Sequence, residues 1–297
     1  MKTAQQDFLR IALFVALVGL VPVFSSSGVV LNFTMTALYA CLIAQAWNIL
    51  GGFGGQFSFG HALFFGTGAY AHAIAQMQWG LNPWLSLPLA MGVAVLVGVG
   101  VGAASFRYGL KGSYFALVTL AFAEVFRIVA TSVPFTGAGV GLMLPLRESA
   151  ANMQFASRAG YVWLVLGLVT LALLVTAWLR HSRFGACLQA VRDNEDAARA
   201  VGVDPLRVKL LATLLSAALM GAAGAFYLQV FQYIDPGIAY GPHTSVEALV
   251  GAIGAAWARC GGRCWALWAC TCWPTSRAIC LASCLASTWS FTARCWC

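Results

Sequence analysis

Seven apolar runs set the fold class of this chain. Each is close to the length of about 20 residues that a helix needs to cross the hydrocarbon core of a bilayer. They cover approximately residues 8 to 24, 31 to 50, 58 to 76, 85 to 106, 113 to 131, 160 to 179 and 209 to 231. The runs hold few charges and lack the period-two alternation of an outer-membrane β-barrel. The sequence therefore predicts an all-α polytopic membrane protein, a bundle of about 7 to 8 transmembrane helices.

The composition agrees with a protein that lies in a lipid bilayer. Of the 297 residues, 61% are hydrophobic and only 9% are charged, too few to cover the surface of a soluble globule. The net charge of +8 is explained by basic residues that accumulate on one side of the predicted bundle, as they do in membrane proteins. We therefore expect no nucleic-acid partner.

The basic residues predict the orientation of the bundle, because lysine and arginine accumulate in cytoplasmic loops. With a cytoplasmic amino terminus and seven spans, ten basic residues fall inside and two outside. The ten are Lys2, Arg10, Arg107, Lys111, Arg180, Arg183, Arg192, Arg199, Arg207 and Lys209, and the two are Arg147 and Arg158. We expect a multi-pass protein of the bacterial inner membrane, with residues 180–209 in the cytoplasm. Residues 77–84, 132–158 and 232–245 are then expected to face outward.

The first apolar run partly matches a cleaved signal peptide. Lys2 and Arg10 precede an apolar stretch from Ile11 to Phe24, and three serines follow it. An A-x-A-like cleavage site is absent, and removal of this run would upset the distribution of basic residues. We therefore expect the first span to be retained.

Residues 180–209 form the one long polar segment of the chain, RHSRFGACLQAVRDNEDAARAVGVDPLRVK. Asp193 is placed to cap a short helix, and Asp196, three residues on, to reach back as in a capping box. Gly202 stops the helix, and Pro205 prevents it from resuming. The segment thus predicts a short cytoplasmic helix.

This short helix has the pattern of a docking surface. Ala197, Ala198 and Val201 fall on one face at i, i+1 and i+4. Charged residues border that face, namely Arg192, Glu195 and Arg199. A small apolar stripe with a charged rim suits insertion into a groove on another protein. The alternative is a solvated loop that contains a helical turn.

A glycine-rich stretch runs from Trp47 to Tyr70, at the entry to the third apolar run. Glycines in such number permit close helix approach and broken or re-entrant backbone, which a membrane accepts only inside protein or beside a water-filled cavity. Gln56, Ser58 and His61 supply polar groups at this break. They predict either part of a substrate path or groups that satisfy the freed backbone.

A second polar interruption lies on the fifth apolar run, where Glu124 and Arg127 are three residues apart on one helix face. Charges at mid-bilayer are disfavoured, so both side chains should face protein or a wet cavity. We expect the two to neutralise each other as an ion pair, with direct substrate contact as the alternative. The candidate substrate path therefore comprises Gln56, Ser58, His61, Glu124 and Arg127.

The motifs of nucleotide hydrolysis and metal chemistry are missing from the sequence. There is no G-x-x-x-x-G-K-[ST] phosphate loop, and no catalytic triad or metal-ligand cluster precedes residue 255. We expect no enzymatic activity, no catalytic residues, no cofactor and no metal site.

Residues 256–297 depart in composition from residues 1–255, which form the predicted permease domain. This tail holds eight of the ten cysteines and six of the eleven tryptophans, but no Asp, Glu or Lys. In GC-rich DNA, a run that encodes Leu-Val-Leu gives Trp-Cys when read one base late. We therefore expect a frameshift near Gly254 to Trp257, which resequencing of the coding DNA would test. The competing interpretation is a genuine cluster of cysteines. The tail contains no C-x-x-C knuckle and no nearby histidine, which argues against a zinc site. A disulfide framework would need an oxidising compartment.

Three blocks of the chain resemble a known family when taken together. They are the glycine-rich stretch, KGSYFALVTLAFAEVFR, and FGACLQAVRDNEDAARAVGVDPLRVKLLAT. Their order and spacing are similar to those of the LivM-type permease of bacterial branched-chain amino acid ABC importers, over roughly residues 30 to 254. In that family the cytoplasmic loop carries an E-A-A-x-x-x-G pattern, onto which Asp196, Ala197, Ala198 and Gly202 fall. Asp196 replaces the glutamate, unless Glu195 serves with a shift of one residue.

The resemblance implies partners and a division of labour. A periplasmic amino-acid-binding protein would deliver substrate, a second LivH-like permease subunit would complete the pore, and two ABC ATPase subunits would bind the short cytoplasmic helix. In this interpretation the ATPase-coupling loop comprises Asp193, Glu195, Asp196, Ala197, Ala198, Val201 and Gly202. ATP binding would drive alternating access.

We therefore expect a permease subunit of an ABC importer for branched-chain amino acids. Within the same class, urea or another amino acid or amide is an alternative substrate, since the binding protein largely sets selectivity. A secondary transporter or channel that works without ATP is the alternative from another class. A nonfunctional truncated product is the third, because of the aberrant tail.

Overall fold

The computed structural model describes residues 2–24, 27–110, 112–146 and 149–257, which are almost wholly helical. The helices of this part are α1 (Lys2–Phe24), α2 (Gly28–Asn48), α3 (His61–Met77), α4 (Pro83–Arg107), α5 (Gly112–Ser132), α6 (Arg158–His181), α7 (Arg183–Asp193), α8 (Glu195–Ala200), α9 (Pro205–Phe231), α10 (Pro236–Tyr240) and α11 (Pro242–Trp257). Residues up to Ala252 form one compact unit. A second unit, Ile253–Cys297, contributes only the last turn of α11 to the described residues.

Six of the described helices are long and apolar enough to cross a membrane. They are α1 from Gln5, α2 with the π-helical turn Ile49–Phe53 that follows it, α4, α5, α6 and α9. Each corresponds to one of the apolar runs. The prediction of an all-α polytopic membrane protein is confirmed.

The third predicted span is broken, as its glycines indicate. Of the third apolar run, only the part from His61 onward is helical, as α3, whose 17 residues extend about 25 Å. Its first residue, His61, bonds to Ser216 at the middle of α9, whereas His72 bonds to Gln229 near the end of α9. Helix α3 therefore runs beside the second half of α9, and the glycine-rich chain 54–60 that precedes it is not helical.

The core is formed where α3, α4 and α9 pack against one another. Small residues let these backbones approach closely. A Cβ atom on Gly68 of α3 would lie 2.5 Å from the Cα atom of Gly221 in α9, and one on Gly221 would lie 2.6 Å from the Cβ atom of Ala94 in α4. One on Gly224 would lie 2.2 Å from the carbonyl oxygen of Phe65. Larger side chains at these glycines would separate the three helices.

The two ends of the bundle differ in charge. At one end, Asp7 of α1 accepts hydrogen bonds from Arg180 and His181 at the end of α6, each 3.1 Å long. We call this the basic end, because α7, α8 and the start of α9 also lie there with their arginines and Lys209. The other end, which we call the opposite end, holds the link from α3 to α4 and the described parts of the segment 132–157. The sequence predicts that the basic end is cytoplasmic.

The expectation that residues 232–245 face outward is wrong for most of this segment. Only its start lies at the surface of the opposite end, where the strand Tyr233–Ile234 (β2) pairs with Leu142–Met143 (β1). Helix α10 then enters the bundle and packs against α3 and α5. The buried Ser245 accepts a hydrogen bond of 2.8 Å from the backbone N–H of Ala62, at the start of α3. Two helices, α3 and α11, thus begin side by side within the bundle.

Some predictions concern residues that the structure does not describe. The tail 256–297 lies outside the described residues except for its first two positions, which close α11. Lys111 and Arg147, both counted in the orientation argument, also lie outside them. These predictions stay predictions.

Candidate functional site

The polar segment at the basic end folds as two helices rather than one. Sequence reasoning missed α7, which begins after Ser182, whose hydroxyl accepts a hydrogen bond from the backbone N–H of Gly185. Leu188 and Val191 of α7 are buried against Leu50, in the π-helical turn that follows α2, and against other core residues. Because α7 is attached through these apolar contacts, it holds the following helix, α8, close to the bundle.

The cap of α8 is Asn194, and the prediction that Asp193 is the cap is wrong. Asn194 Oδ1 accepts hydrogen bonds of 3.1 Å from the backbone N–H groups of Asp196 and Ala197. Asp193 instead ends α7 and pairs with Arg192 at 3.1 Å. The chain turns sharply between the helices, so the cap moves one residue along.

The predicted end of the short helix is confirmed. Gly202 has a φ of +91°, a left-handed conformation that favours glycine and stops α8. Pro205 then starts α9, with Asp204 as its cap. Proline fits the first position of a helix because it lacks the N–H that would have no partner there.

The predicted apolar stripe on α8 divides between two faces. Ala198 is buried and packs with Leu188, Val191 and Val208 of its own bundle. Ala197 and Val201, which lie four residues apart, are exposed, Val201 to 85%. Successive helical residues point about 100° apart, so Ala198 cannot share the direction of Ala197. The exposed face of α8, hereafter the docking face, comprises Asp196, Ala197, Ala200 and Val201.

The two acidic residues that begin α8 point in different directions. Asp196 is exposed on the docking face. The Glu195 side chain is only 15% exposed, and its Oε2 lies 2.9 Å from Nζ of Lys209 in α9. Arg199 approaches the other carboxylate oxygen of Glu195 at 3.5 Å. Sequence reasoning placed Lys209 at the end of the polar segment but did not identify Glu195 as its partner, because the two residues are 14 positions apart.

The polar residues of the glycine-rich break are buried. Gln56, Ser58 and His61 are at most 7% exposed. His61 Nε2 lies 2.9 Å from Ser216 Oγ, and the Ser58 carbonyl accepts a hydrogen bond of 3.0 Å from Trp47 Nε1. Ser58 Oγ also accepts a hydrogen bond of 3.1 Å from the backbone N–H of Gly60, and Gln56 Nε2 donates one of 3.5 Å to the Gly54 carbonyl. These last two contacts favour the interpretation that the polar groups satisfy interrupted backbone. His61 Nδ1 and Gln56 Oε1 find no hydrogen-bond partner among the described residues.

A second buried histidine cluster was missed by sequence reasoning. His72 Nδ1 lies 2.7 Å from Ser86 Oγ in α4, and its Nε2 lies 3.1 Å from Nε2 of Gln229 in α9. The cluster thus joins the three core helices. A signal was present, because His72 follows His61 by 11 residues, close to three helical turns, and so shares its face.

Glu124 and Arg127 form the predicted ion pair on α5. Arg127 Nε donates a hydrogen bond of 2.9 Å to Glu124 Oε2, and a second donor, Nη2, reaches Oε1. The two side chains are 47% and 40% exposed at the surface of this chain. They therefore do not join the buried residues Gln56, Ser58 and His61 in a single site.

A cavity of about 500 Å³ opens at the opposite end of the bundle. Amide side chains dominate its polar lining, namely Gln76, Asn82, Asn152 and Gln154. The lining comes from the end of α3, the start of α4 and the segment 132–157. Among the described residues, no group of histidine, cysteine, aspartate and glutamate is arranged to hold a metal ion.

Comparison with known proteins finds a family and several relatives. The model of a family described as branched-chain amino acid transport system, permease component, matches residues 29–262. The high-affinity branched-chain amino acid transport system permease protein LivM of Salmonella typhimurium is 30% identical over 79% of this chain, and that of Escherichia coli K12 is 29% identical over the same share. The chain spans 60% of the length of each of these two relatives.

The chain is also similar to permeases named LivH. The high-affinity branched-chain amino acid transport system permease protein LivH of Salmonella typhimurium is 26% identical over 74% of this chain and 77% of its own length. No solved structure matches the chain.

Proposed function

The chain belongs to the family of permease components of branched-chain amino acid transport systems, and we propose that it is the membrane-spanning subunit of an ABC importer for these amino acids. It translocates them across the bacterial inner membrane, driven by separate ATPase subunits that bind at the basic end. The identity to LivM proteins over most of the chain supports this substrate class. The relatives are transport permeases rather than enzymes.

The docking face of α8 is the observation that carries this proposal. It presents one acidic residue and small apolar residues at the basic end, beyond the ends of the spanning helices. The helix is capped by Asn194 and stopped by Gly202, so its shape is set before any partner binds. A short, preformed helix of this kind suits a groove on an ATPase subunit.

The anchorage of α8 supports the same function. A helix that receives force from a motor must be attached to the helices that it moves. Ala198 packs with Val191 of α7 and Val208 of α9, so α8 is bound to both neighbours. A displacement of the docking face would therefore shift α9, which runs through the core of the bundle.

Charge reversal on the docking face tests the proposal. The variant Asp196→Lys is co-expressed with the other subunits of the importer, and the ATPase that co-purifies with it is quantified. We expect the ATPase to be lost while the chain stays in the membrane, because a cation replaces the exposed acid at the contact. Arg183→Glu, an exposed reversal at the start of α7 at the same end, is the control and should retain the ATPase. An unchanged yield of ATPase with Asp196→Lys would exclude the importer proposal.

The exposed ion pair on α5 indicates where the second permease and the substrate lie. Charged groups in a membrane span almost always face protein or water rather than lipid. In this chain Glu124 and Arg127 are half-exposed, so we propose that a second permease covers the α5 face and leaves a wet path beside the pair. The similarity to LivH supports a homologous second subunit.

The opposite end is the proposed contact for a periplasmic binding protein. The described parts of the segment 132–157 form an irregular surface there, next to the amide-lined cavity. Substrate released at this end would enter next to the α5 face. This assignment follows from the predicted orientation, in which the opposite end is periplasmic.

A further inference from the structure

Glu195 and Lys209 form an ion pair between α8 and α9. Lys209 Nζ donates a hydrogen bond of 2.9 Å to Glu195 Oε2. Only 5% of the Lys209 side chain and 15% of the Glu195 side chain are exposed. A lysine is rarely buried to this degree unless it is paired. The position of Lys209 therefore depends on the acid that begins α8.

Among the ion pairs of the described residues, Lys209 takes part in one, with Glu195. Its ammonium group lies 5.7 Å from the centre of the Phe106 ring, an arrangement that also favours a cation. A cavity of about 240 Å³ adjoins the pair, where α4 ends and α9 begins. Arg199, the other cation near Glu195, is 64% exposed and 3.5 Å away, a weaker surface contact.

Helix α9 connects this pair to the glycine-rich break. Lys209 and Ser216 are seven residues apart, so they lie on one face about 10 Å from each other. Ser216 Oγ lies 2.9 Å from His61 Nε2 and donates a hydrogen bond of 2.6 Å to the Ala46 carbonyl. The same side of α9 thus contacts α8 near the start of α9 and contacts the first residue of α3 near the middle of α9.

Helix α7 makes a second connection to the same break. Arg192 Nη1 donates a hydrogen bond of 3.0 Å to the Gly52 carbonyl. A Cβ atom on Gly55, which has a φ of +64°, would lie 2.3 Å from Arg192 Cγ. The α7–α8 segment therefore contacts the break directly through Arg192 and indirectly through Lys209 and α9.

We propose that Glu195 is a positioning residue that ties α8 to α9 through Lys209, and that it does not bind the ATPase. The acidic contact with the motor subunit is left to Asp196, the next residue, which points away from the bundle. The pair passes the displacement of α8 to α9 and, through Ser216, to the start of α3. This inference rests on the proposed function and specifies how α8 of that importer is coupled to the bundle.

The experiment separates assembly from transport in the complete importer. Glu195→Gln keeps the shape of the side chain and removes its charge, and Lys209→Met removes the partner. For each variant, three quantities are measured: the ATPase that co-purifies with the chain, ATP hydrolysis by the complex, and uptake of radiolabelled L-leucine per complex in the membrane. The matched control is Arg199→Gln, which removes the exposed cation from the same carboxylate.

Glu195→Gln should retain the ATPase within about twofold, while leucine uptake falls by about tenfold and ATP hydrolysis continues. Arg199→Gln should change uptake by less than about twofold. Lys209→Met removes the buried cation and leaves Glu195 the weaker contact with Arg199, so uptake should fall as it does with Glu195→Gln. The swap Glu195→Lys with Lys209→Glu is the second test. It restores opposite charges at the same two positions and should recover much of the uptake.

Two results would overturn the inference. Uptake by Glu195→Gln at the wild-type rate would show that the pair does not pass on the movement. Loss of the ATPase by Glu195→Gln to the same extent as by Asp196→Lys would make Glu195 a docking residue. Failure of the proposed function is distinguishable from both, because in that case Asp196→Lys itself would leave the ATPase bound.

Discussion

At the scale of single residues, neighbours in the chain have different roles because a helix points them in different directions. Glu195 faces Lys209 inside the bundle, whereas Asp196 is exposed. Ala198 is buried against the core, whereas Ala197 is exposed. The four consecutive positions from Glu195 to Ala198 therefore contribute to two different surfaces of α8. One holds the short helix in place, and the other is available to a partner.

Glycines in the core give a prediction at this scale. Gly68→Ala should lower the stability of the bundle by about 1 to 3 kcal/mol, because the added methyl group has no room beside Gly221. The measurement is the midpoint of thermal unfolding of the detergent-solubilised protein. Gly100→Ala on α4 is the control, since a Cβ atom there meets nothing within 4 Å. The control should unfold at the same temperature or higher, because alanine favours helix over glycine. Equal midpoints for the two variants would contradict the close packing of α3 and α9.

At the scale of elements, α8 depends on its surroundings. Its six residues are too few to form a stable helix alone in water. The cap at Asn194, the stop at Gly202 and the buried Ala198 hold it in shape. The glycine-rich break is stabilised in a similar way, since its interrupted backbone and polar side chains are enclosed by α2, α5 and α9. The local sequence alone would stabilise neither α8 nor the glycine-rich break, and tertiary contacts hold both in place.

The cap of α8 can be tested separately from its docking face. Asn194→Ala removes the acceptor of two backbone N–H groups and should destabilise the start of α8 by about 1 kcal/mol. We expect less ATPase to co-purify, because part of the binding free energy is then spent on ordering the helix. Asn194→Asp, which caps equally well, should retain the ATPase. A similar loss with both variants would mean that the amide itself, rather than the cap, is needed.

At the scale of the whole molecule, the basic and opposite ends divide the proposed work. Helices α3, α4 and α9 form a close-packed core between them. The exposed face of α5 carries the charged pair, and α10 enters the bundle beside it from the opposite end. The proposed motor contact and the proposed entry for substrate therefore lie at different ends of the same group of packed helices.

The predicted orientation can be measured with fusions to alkaline phosphatase, which is active only where its disulfides form, in the periplasm. A fusion after Gly80, between α3 and α4, should be active. Fusions after Gly109 and Gly202 should be inactive, because the basic end is expected to be cytoplasmic. Activity after Gly202 together with inactivity after Gly80 would reverse the bundle and remove the docking face from the reach of a cytoplasmic ATPase.

The sequence by itself determined the features that depend on local composition. Apolar runs of membrane-spanning length predicted the helices, the glycines from 51 to 60 predicted the break, and Gly202 predicted the end of α8. The resemblance to the permease family rested on the same local blocks. Hydrophobicity, backbone freedom and helix capping act over a few residues, so a single chain is enough to recognise them.

Only the tertiary structure decided which side chains meet across the chain. The pairing of Glu195 with Lys209, the contact of His61 with Ser216 and the buried position of Ala198 all join distant positions. The return of α10 into the bundle, where a surface loop was expected, is of the same kind. Such contacts follow from how the helices pack, and one sequence carries no local signal for the partner that a polar side chain will find.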